Sequence, residues 1–166
     1  MHFDLKPISV ESIPDAIAKV ERYRLLSEPS LAESICLDIL TVAPDHQQAL
    51  ISLLLARTDQ FESGMTVAKA REVLSRIKGD YERAYYAGII SERNAHAHLH
   101  QGGPGSASVA YHALREAMEH FERAEVLRPA GNDDAILRWN TCARVIMRNP
   151  EIRPLPFESF QPITGE

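Results

Sequence analysis

The sequence predicts an all-α chain of about seven helices, arranged as a stack of antiparallel helix pairs with the third pair elongated. Two observations predict it. First, one spaced pattern occurs twice: Ala32, Cys36, Ile39, Pro44 and Ala117, Phe121, Ala124, Pro129, with Tyr23 ahead of the first set. Each small residue is followed four later by a bulkier one, three later by another apolar one, and five later by a proline. On a helix the 4-then-3 spacing makes one stripe, and the proline ends the helix because it lacks an N–H and restricts the residue before it. Second, apolar residues elsewhere recur at helical spacing between Pro and Gly breakers.

Residues 1–11 form an irregular lead-in. Helix one is expected from Ile13 to Leu26, with Ser12 as cap, Pro14 in the first turn, and an apolar stripe of Ile13, Ala16, Ile17, Val20 and Leu25 with Tyr23 beside it. Ser27-Glu28-Pro29 separates it from helix two, which runs to Val42 with Leu31, Ile35, Ile39 and Leu40 inward. Helix three, from Asp45 as cap to Thr58, is apolar on more than one face through Ala49, Leu50, Leu53, Leu54 and Ala56, which suits a helix between neighbours. Helix four, Ser63 to Ile77, turns Val67, Ala70, Val73, Leu74 and Ile77 inward, and Gly79 closes it.

Helix five opens at Asp80, and its periodicity continues through Tyr81, Ala84, Tyr85, Gly88, Ile89, Ala95 and Leu99 until Gly102-Gly103-Pro104-Gly105. Helix six runs from Ser106 to Leu127. These two are each about two turns longer than their predecessors, so they predict a hairpin whose tip projects beyond the body. Helix seven, Asn132 to Met147, is capped by Asn132 or Asp133 and carries Ala135, Trp139, Cys142, Val145 and Ile146. The Pro-rich tail, 149–166, is expected to be extended or disordered, with Leu155, Phe157 and Phe160 able to lie against the body. The helical domain is thus 12–148, divided into units 13–44, 45–79 and 80–129 and a closing helix 132–148.

Composition narrows the function classes. A net charge of −5 disfavours nucleic acid as partner. Arg123, Arg128, Arg138, Arg144, Arg148 and Arg153 are spread over two helices and a tail, as on a solvated face. Cys36 and Cys142 fall on apolar stripes, which predicts free buried thiols and a reducing cytoplasm. MHFDLKPISVESIP has no apolar centre and does not read as a signal peptide. The longest apolar run, Ala49 to Ala56, is interrupted by Ser52 and too short to span a bilayer, so no membrane insertion is expected.

The repeated pattern resembles the tetratricopeptide repeat family, whose unit is a helix pair of about 34 residues. Tyr23 matches the aromatic late in a first helix, and Ala32, Cys36, Ile39 and Pro44 match the second-helix signature. Gly88 matches the small residue of a first helix, and Ala117, Phe121, Ala124 and Pro129 match the second helix fully. Trp139 and Cys142 stand at the offsets from Pro129 that Leu54 and Arg57 have from Pro44. The middle unit is degenerate, with Val67, Arg71 and Leu74 at the signature spacing and Gly79 in place of proline, and the third is about seventeen residues longer than standard. Over residues 13–148 the resemblance implies a right-handed superhelical stack with a concave groove. It also implies a non-catalytic adaptor or assembly factor that binds a peptide or partner helix without a cofactor.

The expected groove lining is Ile17, Glu21 and Arg24 from helix one, Gln48, Ile51, Ser52 and Leu55 from helix three, and Tyr85, Ile89 and Glu92 from helix five. The paired lysine and asparagine with which some family members hold a C-terminal carboxylate are missing, which disfavours a chaperone-tail adaptor. Helix seven has no following helix, so Arg138, Trp139 and Arg144 mark a second interface, including one with another copy of the chain. His96 and His100 share a face, and His112 follows the glycine turn, so a metal site across the hairpin is the enzymatic alternative. There is no Walker lysine motif and no GxSxG serine, and the glycine turn follows a helix rather than a strand, so it does not read as a phosphate loop.

Overall fold

The computed structural model describes residues 1–155. Among them are seven α-helices, two 3-10 turns (Val10–Ser12 and Phe61–Ser63) and no strand. The helices are α1 (Ile13–Leu25), α2 (Pro29–Val42), α3 (Gln47–Thr58), α4 (Val67–Leu74), α5 (Asp80–Gln101), α6 (Ser106–Leu127) and α7 (Asp134–Arg148). No helix among the described residues is long and apolar enough to cross a membrane.

Local chemistry sets most of these ends. Prolines stand in the first turns of α1 and α2, where a missing N–H costs nothing. Ser27 takes the left-handed conformation at φ 60°, and the chain reverses there with Glu28 N donating to Tyr23 O at 2.9 Å. Asp45 does not cap α3. His46 Nδ1 accepts from Ala49 N at 3.2 Å, and the helix starts two residues later than expected. The Ser12 hydroxyl donates to Ser9 O at 2.7 Å instead of capping α1. Asn132 Oδ1 accepts from Asp134 N at 3.0 Å at the start of α7.

Each helix packs on the next in the chain, and α3 also touches both α1 and α5. The apolar stripes meet in two bodies of core. One lies among α1–α4 and takes in Ile90 and Ala97 of α5, and the other joins α5, α6, α7 and Ile152. Leu55 and Tyr86 pack against both. Wholly buried Leu50, Leu54, Ile39, Leu114 and Phe121 each contribute about 1.5–3 kcal/mol, whereas exposed ion pairs contribute about 0–1 kcal/mol, so the stripes decide the packing. At the tightest point α5 lies on α6 with Gly88 under the Phe121 ring. A Cβ built on Gly88 would stand 2.5 Å from a ring carbon, so only glycine fits.

Several expectations need correction. α4 has eight residues rather than the span from Ser63 to Ile77; Phe61–Ser63 is a separate turn, and Ile77 is buried beyond the helix end. Leu25 and Leu31 face solvent at 87% and 47% exposure. The α1 stripe continues from Val20 to Arg24, four residues on, which leaves Leu25 outside it. The tail does return to the body, but through Ile152, which is buried, and through Leu155 N donating to Ser108 Oγ at 3.2 Å. The Leu155 side chain is exposed, and Phe157 and Phe160 lie outside the described residues.

Candidate functional site

A furrow runs along α1. Its larger part is an open cavity of about 1030 Å³ walled by Glu21, Arg24 and Leu25 of α1, Ser27 and Pro29, Asp59, Glu62 and Ser63 after α3, and Arg93 and His100 of α5. Its smaller part, about 300 Å³, is lined by Ile13, Pro14, Ile17, Ala18, Glu21, His46 and Gln48. Glu21 borders both. The thirteen residues of α1 rise about 20 Å, which matches about six residues of extended chain.

The furrow is apolar at one end and charged at the other. At the charged end Arg24 Nε donates to Asp59 Oδ2 at 2.8 Å, and Arg93 Nη1 lies 3.7 Å from Asp59 Oδ1. Asp59 therefore holds α1 and α5 to the end of α3. Glu62 Oε2 lies 3.6 Å from His100 Nε2, and Gln48 Nε2 donates to Glu21 Oε1 at 3.4 Å. Three carboxylates and two guanidiniums thus border the cavity, with the carboxylates of Glu21 and Glu62 on exposed residues.

Of the ten residues expected to line the groove, Glu21 and Gln48 are exposed, and Arg24, Ile51, Leu55 and Tyr85 are half-buried. Ile17, Ser52, Ile89 and Glu92 are buried. Ile17 still forms part of the smaller cavity wall, but Ser52 and Ile89 face the interior. The Tyr85 ring stacks on Tyr81, meets Tyr86 edge-on and lies tilted against Phe121 rather than standing free. Asp59, Glu62 and Arg93 were missed, and His100 stands in this wall with them. The signal for the last two was available: Arg93 and His100 are seven apart, on one face of α5.

Glu92 is only 3% exposed and is held between helices. Arg138 Nη1 of α7 donates to its two oxygens at 3.3 and 3.5 Å, and His96 Nε2 lies 4.0 Å away. Burial works against the Arg138 charge, but the Glu92 carboxylate and the Tyr85 hydroxyl outweigh it and hold the guanidinium above its ordinary range. Arg138 therefore ties α7 to α5 rather than presenting an open contact. Trp139 is half-buried and donates from Nε1 to Glu122 Oε1 at 2.9 Å, while Arg144 is exposed.

His96, His100 and His112 are drawn to different partners. His96 faces Glu92, His100 faces Glu62, and His112 is exposed with its ring edge-on to Tyr111. Among the described residues no group of three His, Cys, Asp or Glu side chains is placed to hold a metal ion. Burial pushes the Cys36 and Cys142 thiols up to about 12, so neither supplies a thiolate near neutrality.

No family model matches the chain, and comparison with curated proteins and with solved structures likewise finds no match.

Proposed function

We propose that the chain is a non-catalytic protein-interaction module of the tetratricopeptide type, a right-handed stack that takes an extended peptide or partner helix along α1. The pair of cavities along α1 carries this reading, because their exposed rim, Glu21, Leu25, Gln48 and Glu62, is not used by the core. The order of contacts, with α3 between α1 and α5, supports a stack of first helices. The apolar end suits an aliphatic anchor, and the exposed carboxylates suit a basic side chain beside it. Free buried thiols at Cys36 and Cys142 suit an adaptor or assembly factor of a reducing cytoplasm.

The test is selection of peptides from a random display library on the full chain, followed by anisotropy titration of a labelled selected peptide. Glu21→Arg and Leu25→Asp are each expected to weaken binding at least tenfold, and Arg144→Ala to leave it unchanged. Equal binding by the first two variants would remove the furrow as the docking surface.

A second reading is self-association through α7. Leu137 and Met147 of α7 are 62% and 73% exposed, and Val126 at the end of α6 is 85% exposed. Light scattering over a concentration series decides it, with Leu137→Glu expected to abolish any dimer.

A further inference from the structure

A second cavity, about 240 Å³, opens between α4, α5 and α6 and shares no residue with the furrow. It follows from the short α4: α6 packs along α5 and α7, and the rim on this side is bridged by Arg71 Nη2 donating to Glu116 Oε1 at 3.2 Å. At about 30 Å³ per water molecule in the liquid, the space equals about eight waters. It lies below the range of about 300–1,000 Å³ for drug-sized ligands, so its occupant has only a few heavy atoms.

The lining has a distinct chemistry. Leu74, Ala87 and Ile90 make an apolar floor. Ser91, only 2% exposed, lines the same space, and among the described residues its hydroxyl has no hydrogen-bond partner. A buried unpaired hydroxyl is costly; its oxygen is almost wholly covered, so an acceptor in the cleft satisfies it once the Ser91 side chain turns toward the space. Arg71 is half-exposed and spends one N–H on Glu116, out of the five that a guanidinium carries. His120 Nε2 lies 3.9 Å from Glu116 Oε1. Burial and the nearby Arg123 and Arg71 press the His120 pKa down against the pull of Glu116 and Glu119, so the ring is neutral near neutrality and carries one N–H.

We propose that this cleft binds a small monocarboxylate on a short aliphatic stem. The stem lies on Leu74, Ala87 and Ile90, and the carboxylate accepts from the free edge of Arg71, from the Ser91 hydroxyl and from the His120 N–H. A carboxylate gains charge-assisted bonds that an alcohol of the same shape lacks, and an ammonium would meet Arg71 and find Glu116, the one carboxylate of the lining, already paired with it. Glu116 is the internal competitor, since it already holds one edge of Arg71.

The experiment is an amide NMR titration of the full chain with sodium butyrate. Butanol, butylamine and sodium chloride of equal ionic strength serve as matched probes. Butyrate is expected to shift amides of 71–74, 87–91 and 116–120 saturably in the millimolar range. Arg71→Gln is expected to weaken butyrate by about tenfold and Ser91→Ala by about fivefold. Glu116→Gln is expected to tighten it severalfold, an effect that mere structural damage would not produce. Thermal melting of Ser91→Ala adds a readout without ligand: the variant melts no lower than the parent, because the hydroxyl it loses was unpaired. The proposal is overturned by non-saturable shifts, by butanol or butylamine binding as well as butyrate, by undiminished binding to Arg71→Gln, or by a lowered melting temperature for Ser91→Ala.

Discussion

Replacing Gly88 with alanine tests the closest helix contact in the molecule. The new Cβ would stand 2.5, 2.7 and 2.8 Å from Cε1, Cδ1 and Cζ of Phe121. Ordinary carbon contacts are about 3.5–4.0 Å, so the ring must retreat by about 1 Å. It has nowhere to go: Phe121 is 0% exposed, and the Tyr85 ring sits 5.8 Å from its centroid. Overpacking of this kind costs about 1–3 kcal/mol, and the rigid ring puts this site in the upper half. Alanine recovers about 1 kcal/mol in helix propensity over glycine. The net expectation is a loss of about 1–2 kcal/mol. With about 2.1 cal/mol/K of unfolding entropy per residue over 166 residues, that lowers the melting temperature by about 3–6 °C. Calorimetry and urea unfolding measure it. The sign carries the test, since at an open helix position the same substitution would stabilise by about 1 kcal/mol. A rise in stability would therefore refute the α5–α6 packing described here. Adding Phe121→Leu is expected to relieve the clash, with a coupling of about 1 kcal/mol in the double-mutant cycle.

Three further outcomes follow from the same structure. Arg138→Met leaves the Glu92 carboxylate without its main partner and is expected to cost about 2 kcal/mol in urea unfolding; this is below the roughly 3–5 kcal/mol of a fully buried pair because Arg138 is half-exposed, and Glu92→Gln in the same chain should recover part of it. The His120 pKa is lower in the fold than the 6.5 of the free side chain, so as pH falls the unfolded chain takes up the proton first. The stability that depends on a neutral ring is complete above about pH 6.5 and is lost as pH drops through the folded value, and His120→Gln should flatten that part of the stability–pH curve. Cys36 and Cys142 should resist iodoacetamide at pH 8 in the native state and react fully in denaturant, which mass spectrometry reads directly; rapid native labelling would contradict their burial.

The helices were legible where a stripe and a stop signal agreed. Ala117, Phe121 and Ala124 are all 0% exposed, as their spacing requires, and Pro129 follows the end of α6. Cys36 and Ile39 behave the same way in α2. The middle of the chain was less legible because Gly64, with φ 100°, breaks the apolar run that Phe61 and Val67 otherwise suggest, and no proline announces the end of α4. Ile77 shows the limit of periodicity: it sits at helical spacing and is buried, yet it lies in a connection.

The furrow was harder to read than the core, and the reason is one of phase. On α5, Tyr85, Ile89 and Glu92 continue one stripe, but core packing claims Ile89, and Arg138 claims Glu92. The open side lies about 60° further round, at Arg93 and His100, taking about 100° per residue. That shift is smaller than the step of about 100° between neighbouring residues, yet it is enough to exchange wall residues for core residues. On α3 no phase was available at all, because Ala49, Leu50, Ser52, Leu53, Leu54 and Ala56 are buried around the helix. What pins the furrow in place is Asp59, a residue with no periodic signature, whose two oxygens face Arg24 and Arg93 across thirty-five and thirty-four positions of chain. Such a contact depends on three separate elements meeting, which a single-residue pattern does not encode. It also makes a discriminating variant: Asp59→Asn keeps the volume and removes the charge, so α1 should loosen from the end of α3 at the charged end while the apolar end keeps its packing. Hydrogen exchange is expected to rise in the last turn of α1 and not around Ile13 and Ile17. A uniform rise along α1 would mean that the ion pairs support the whole helix, and that the furrow has no separately adjustable end.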